Sequence, residues 1–440
     1  MAQITPAPDI GQRMYGLLSK LFPLCRSITG NGLRASLRAI QQHIPLSLHE
    51  VPTGTPVFDW MVPSEWNVKD AYVKNRSGER VIDFRQSNLH LVSYSRPFHG
   101  WMSLDQLRPH LYSLPDQPHV IPYRTSYYQE TWGFCISHND LASLADGDYE
   151  VCVDTTLEPG HLTYGECYLP GQTADEVLIS CHCCHPSLAN DNLSGMVLAA
   201  MLADQVASWQ RRYSYRFLFV PGTIGPITWL ALHEEQVRHI KHGLVVACVG
   251  DPGHMHYKRS RRGDAEIDQA AIYVLQQTGQ PFEVLEFSPY GYDERQYCSP
   301  GFDLPVGSLT RTPHGRYPEY HTSADNLDLV QPEFLADSFM RYLEVFAILE
   351  RNWRYLNTNP KCEPQLGRRG LYSALGGRKD AKQSEMAMLW VLNLSDGQHD
   401  LLDIAQRSGL SFWQVQQATE LLLEHGLLGT LDLTPALPDA

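Results

Sequence analysis

The sequence has no apolar run long enough to cross a bilayer. Its longest, such as VLAAMLA, fall far short of the roughly 20 residues that a spanning helix needs. No basic segment followed by an apolar core appears in MAQITPAPDIGQRMYGLLSKLF, so no secretory signal is read and a cytoplasmic location is expected. Positive charge is not in excess: the formal net charge is −14 over 440 residues. That balance disfavours a nucleic-acid or anionic-membrane surface. There is no internal repeat, no low-complexity segment and no pair of Cys-x-x-Cys knuckles. The 10 cysteines, in a chain this long and without an export signal, read as reduced thiols. What remains is a globular composition, 43% hydrophobic and 19% charged, with length for two or three domains.

One stretch concentrates reactive side chains. CHCCHPSLANDNLSG, residues 181–195, follows the strand-like run EVLIS and precedes a segment with apolar residues at Leu193, Met196, Val197, Ala200 and Met201. That spacing is helical, so the stretch is a strand-to-helix crossover loop. In open α/β sheets such loops lie at the carboxyl ends of strands, where ligands bind. Cys181, Cys183 and Cys184 are too close together for an ordinary structural zinc site and read as packed small apolar residues.

Along the chain, residues 10–45 read as helical. Residues 53–149 are rich in aromatic and β-branched residues and broken by turn formers, the texture of a small β-rich domain. Helical material flanks it on both sides, so it is expected to interrupt an α/β domain made of residues 1–52 and 150–358. In that domain YEVCVDT, EVLIS, RFLFVP, GLVVACVG and PVGSLT are the strand candidates, alternating with helices. This predicts a mostly parallel (mixed) sheet with helices on both faces. Residues 359–378 are rich in proline and glycine and read as a linker, and residues 379–440 as a winged-helix-like domain with a tight turn at Gly409.

A catalytic zinc wants about three His, Asp or Glu ligands and an open position. Four places just beyond predicted strand ends supply them: His185 with His182 as its competitor, Asp191, Asp251, and His321. Taken singly, each reads as well as a helix cap or turn former. The set in one α/β domain points to a hydrolase metal site rather than to a compact cysteine knot.

The strings CRSITGNG, CHPSLANDNLSG, GYDERQYCSPG and YPEYHTSADN, in this order and spread over most of the chain, resemble an aminopeptidase-like family of the zinc aminopeptidase superfamily, which includes di-zinc exopeptidases and glutaminyl cyclase. The resemblance implies a zinc exopeptidase core with an inserted β domain and a C-terminal winged helix. It implies that His185, Asp191 and His321 bind one or two Zn2+ ions, with Asp251 as a fourth ligand and His182 as the alternative to His185. One departure stands out. The family it resembles usually reads Pro-Glu-Thr-Ile-Gly where this chain has PGTIG, so Gly222 stands at the expected glutamate. The resemblance implies that acidic residues on this loop serve as general base and as a second-metal ligand, and glycine can do neither. Loss of such a base costs roughly 10²–10⁴-fold. Asp293 and Glu294, with Glu319, are the candidate substitutes.

The expectation is therefore a zinc-dependent hydrolase of an amide bond in a small aminoacyl or peptidyl substrate, in a biosynthetic setting. The alternative is a repurposed site that performs acyl transfer or cyclisation, or only binds a metabolite, because of Gly222. A DNA-binding regulator is the third reading. It is disfavoured because the helix SFWQVQQATELLLEHG has no Lys or Arg. Packing or homo-oligomerisation is expected of that domain instead, with no nucleic-acid or membrane partner.

Overall fold

The computed structural model describes residues 7–371 and 381–431. Part of the expected linker, and the two ends of the expected C-terminal domain, lie outside those residues. The chain divides into two units, residues 1–343 and 344–440.

In the first unit, strands β1 (Ser47–Pro52), β2 (Glu65–Lys74), β3 (Arg80–Asp83), β4 (Phe98–Ser103), β5 (Asp148–Glu158), β6 (His161–Leu169), β7 (Glu176–His182), β8 (Ser214–Val220), β9 (Ile240–Val246), β10 (Met255–Lys258), β11 (Phe282–Leu285) and β12 (Val306–Thr310) build two sheets. Eight of them form a mixed sheet in the order β1-β6-β8-β7-β9-β12-β10-β11. The centre, β8-β7-β9-β12, is parallel, and β6 and β10 join it antiparallel. Every residue of β7 is buried, as expected of a central strand covered on both faces.

Helices pack against this sheet. In α1 (Ile10–Leu21), Met14, Leu17, Leu18 and Leu21 form one buried stripe, the i, i+3, i+4, i+7 pattern of an amphipathic helix. After α2 (Asn31–Ile40), helix α3 (Gly195–Ala207) is buried over most of its surface. Further along come α4 (Ile224–Leu232), α5 (Glu266–Gln277), the single turn α6 (Glu294–Tyr297) and α7 (Pro332–Arg351).

The second sheet has the order β3-β2-β5-β4. Tyr149, Val151, Val153 and Thr155 alternate into its core along β5, the period of a half-buried strand. YEVCVDT, expected as the first strand of the α/β domain, thus belongs to this sheet. Its alternation of buried and exposed side chains fits a sheet with one wet face, not a doubly covered one. The two sheets share one hydrophobic cluster, which includes Val73 and Val151 on one side and Leu178 and Val220 on the other.

The second unit contains α8 (Ala381–Leu394), α9 (Leu401–Ser408) and α10 (Phe412–Glu424), with a three-stranded sheet of β13 (Arg354–Asn357), β14 (Asp396–Asp400) and β15 (Leu428–Thr430) in the order β14-β13-β15. Asp400 and Ser411 cap α9 and α10 through reciprocal bonds with Asp403 and Gln414. Gly409 ends α9 at φ 71°, a left-handed turn that glycine adopts without Cβ strain. The unit's sheet recruits β13 from upstream of the proline- and glycine-rich stretch.

Candidate metal centre

His182 is the last residue of β7, and the chain then turns through His185 to Asp191 before entering α3. The turn and the loop that carries His321 bring three imidazoles onto one carboxylate. His182 Nε2 lies 2.7 Å from Asp191 Oδ1. His321 Nε2 is 3.0 Å from Asp191 Oδ2, and His185 Nδ1 is 3.7 Å from that same oxygen. His182 and His185, read from sequence as alternatives, stand side by side. Ligand atoms of His182, His185 and Asp191 all lie within 4.8 Å of one another.

The electrostatics follow from burial. Asp191 is 0% exposed. Burial works against its charge, yet His185 and His182 outweigh it and hold the carboxyl well below its usual range. Burial pushes His185 down to about 3, so the ring is neutral. Its Nδ1 is buried and has no hydrogen-bond partner. Burial would lower the pKa of His182 too, but the Asp191 carboxylate raises it. Buried polar atoms left unpaired are rare. A neutral imidazole nitrogen facing a charged carboxylate is satisfied by a divalent cation, and two histidines, a carboxylate and a further histidine form the nitrogen–oxygen donor set that zinc prefers.

Several residues that sequence reasoning passed over hold this turn. Asp325 accepts the backbone N–H of Asn190 at 2.6 Å and that of Asp191 at 3.0 Å. Arg26, buried in the CRSITGNG segment, donates through Nε to the His185 carbonyl at 2.9 Å. The Tyr123 ring stands edge-on to both His185 and His321, with centroids 5.1 Å apart in each case. Such second contacts orient ligands. His321 itself has φ 54°, a left-handed backbone that costs a non-glycine residue about 1–3 kcal/mol and clusters at functional sites.

Asp251 does not join the group. Its Oδ1 accepts from Gly253 N and Thr312 Oγ1, and its Oδ2 from Asn190 Nδ2 at 3.1 Å and Thr312 N at 3.2 Å. With both oxygens engaged, it ties the turn after β9 to the turn that carries Asp191. Asp251, expected as a fourth ligand, thus stands outside the three-residue group among the described residues and braces two loops.

A cavity of about 380 Å³ opens in front of the cluster, lined by His182, His185, His321, Gly222 and Asp293. Gly222 is not demanded by the backbone. It has no left-handed φ, and a Cβ built there meets only Cys184 Sγ at 3.5 Å and His182 Cβ at 3.6 Å, ordinary contact distances. The next residue carries the strain. Thr223 has φ 66° and ψ −67°, and Ile224 N bonds to the Gly222 carbonyl at 2.9 Å around it. This is the uncommon positive-φ γ-turn.

Thr223 N donates to Asp293 Oδ1 at 2.8 Å. Asp293 Oδ2 is buried without a partner, and burial raises this carboxyl to about 6. Glu294 also has a buried oxygen without a partner, Oε2, but its Oε1 pairs with Lys258 Nζ at 2.8 Å, and neither it nor Glu319 lines the cavity. Of the candidates to replace the missing glutamate, Asp293 is the one beside the histidines. The three cysteines of the 181–184 run are buried; burial pushes Cys184 up to about 12, so it remains a thiol, and it accepts the Gly222 N–H at 3.3 Å.

The family model described as "Domain of unknown function (DUF4910)" matches residues 15–352, and one described as winged helix-turn-helix matches residues 353–430. A Clostridium acetobutylicum protein, named as a candidate polysaccharide biosynthesis protein with an aminopeptidase-like domain, is 52% identical over 425 residues, covering 97% of this chain and 98% of that one. A crystal structure of a candidate peptidase from Clostridium acetobutylicum superposes with a TM-score of 0.92 at 50% identity, over 96% of this chain and 97% of that one. The zinc aminopeptidase BSAP of Bacillus subtilis shares the fold at a TM-score of 0.57 and 11% identity, over 78% of this chain and 96% of its own. The chain belongs to the DUF4910 family, an aminopeptidase-like fold followed by a winged helix-turn-helix.

Proposed function

We propose that the protein is a zinc-dependent hydrolase that cleaves an amide bond in a small aminoacyl or peptidyl substrate, with Asp293 as the general base in place of the glutamate absent at Gly222. The observation that carries this reading is the unpartnered Asp293 Oδ2 on the wall of the cavity that the three histidines share. The name of the 52% identical relative supports a biosynthetic setting.

His182, His185 and Asp191 would hold the ion, with His321, which shares Asp191 Oδ2 with His185, as a further donor. A bound zinc supplies Lewis-acid polarisation of the scissile carbonyl and acidifies water. The chain's own residues do the rest. Thr223 N–H fixes Oδ1 of Asp293 and leaves Oδ2 to take a proton from the attacking water. Burial brings the acidity of Asp293 toward the operating pH, where a general base is most effective. The same oxygen can return the proton to the leaving amine. Asp325 and Arg26 keep Asp191 and His185 in place, so the donor set is organised before substrate arrives.

Gly222 favours a second reading, in which the site performs acyl transfer or cyclisation. The absent side chain leaves room for a substrate group that itself accepts the proton. Metal analysis of the purified protein, paired with a screen of aminoacyl and N-acyl amides, tests the proposal. Stoichiometric zinc with amide hydrolysis supports it. A metal-free protein removes it, and zinc with transfer products but no hydrolysis favours the second reading.

A further inference from the structure

Beyond the histidines, the charged side chains on the cavity wall, among the described residues, are Asp293 and Arg295. Arg295 is held loosely. Nη2 donates to Thr223 Oγ1 at 3.4 Å, and Nε is buried without a hydrogen-bond partner. Among the described residues it forms no ion pair, although it is near enough to Asp293 to pull that carboxyl down against the larger effect of burial. A guanidinium with N–H groups unspent on protein acceptors matches a planar oxyanion, which it can bind through two parallel bonds.

The opposite requirement is missing from the wall. A substrate with a free α-ammonium needs a carboxylate partner once desolvated. Asp191 is enclosed by the histidines, and Asp293 is occupied as the base. Among the described residues no carboxylate other than Asp293 lines the cavity. The wall also includes Trp60, from the short hairpin that pairs Val57 with Trp60, and Tyr128. These rings meet edge to face at 5.4 Å and remain 42% and 50% exposed. Half-exposed paired aromatics at a cavity are apolar contact surface awaiting a ligand.

We infer that Arg295 is an anion-binding subsite: the substrate is an amide that presents a carboxylate to Arg295 and an apolar part to Trp60 and Tyr128, rather than a free α-ammonium. This rests on the hydrolase reading above. It names the substrate class as acidic acyl amides, and Arg295 as the residue that selects them.

The test uses full-length, zinc-loaded protein and hydroxamates as metal-directed probes, with affinities read by calorimetry. The probes are the monohydroxamates of succinic and glutaric acid, their carboxamide isosteres, and glycine hydroxamate. A carboxylate probe should bind about tenfold or more tightly than its carboxamide isostere, the scale of a charge-assisted hydrogen bond. That ratio should fall to near unity in Arg295→Gln and recover in part in Arg295→Lys. Zinc content and thermal unfolding of each variant show that it is folded. Equal affinities for the acid and carboxamide probes in the wild type, or tightest binding of glycine hydroxamate, overturn the inference while leaving the metal site standing. A protein that takes up no zinc overturns the hydrolase reading and this inference with it.

Discussion

Among the described residues, two places in the first unit bring two histidines and a carboxylate within 4.8 Å: His182, His185 and Asp191, and His254, His256 and Glu283. Spacing alone does not separate them. Their surroundings do. The first carboxylate is fully buried and faces only histidines, one of which has an orphaned nitrogen. At the second, Glu283 Oε2 is already bound by Arg316 at 2.7 Å, and His256 Nε2 shares that oxygen at 3.2 Å. The second group therefore has a cation of its own, whereas the first has a carboxylate and imidazoles still in need of one. A third histidine and a cavity complete the first group. Burial without a protein counter-cation, more than ligand spacing, distinguishes a metal centre from a surface ion pair.

The largest effect should come from breaking the first group. Asp191→Ala is expected to abolish stoichiometric zinc binding and all activity, because the residue is shared by three imidazoles; elemental analysis of the purified variant checks this. Asp293→Asn should keep zinc but lower amide turnover by roughly 10²–10⁴-fold. Its neighbour provides the contrast. Glu294→Gln removes the counter-ion of Lys258 in a pair whose side chains are 11% and 0% exposed. It should cost stability, about 3 kcal/mol, in a denaturant titration.

Gly222→Glu is expected to raise turnover about tenfold or more in the Asp293→Asn background, since a second carboxylate on the same wall restores a base. Unchanged turnover in a folded double variant would show that the loop position does not reach the reacting atoms. The smallest effect belongs to the second histidine group. His256→Ala should leave metal stoichiometry as it is and lower stability by about 1 kcal/mol, the scale of one hydrogen bond. Loss of a metal equivalent would erase the distinction between the two groups.

The parts of this site that were legible in the sequence are those built locally. His182, His185 and Asp191 lie within one crossover loop, flanked by a buried apolar run and a helical pattern. Gly222 and Asp293 were marked by one departure from a family string and by carboxylates in a nearby loop. Asp251 is ambiguous in the sequence because a strand-end aspartate that braces a turn has the same local signature as one that binds metal; the four donors around its oxygens become visible only in the fold. Asp325 and Arg26 were passed over for the converse reason. Their roles exist only through contacts 134 and 159 residues away in sequence. The strand at Tyr149 went to the second sheet because the alternation of its buried residues reports one wet face, a feature outweighed in the sequence by the helices that follow.

The central claim is that a zinc site survives here with its base moved from the Gly222 loop to Asp293. Paired measurement of zinc content and amide turnover in wild type, Asp293→Asn and Asp293→Asn/Gly222→Glu tests it most directly. The account predicts equal zinc in all three, turnover lost in the single variant and regained in part in the double. Full turnover in Asp293→Asn with zinc in place would contradict it.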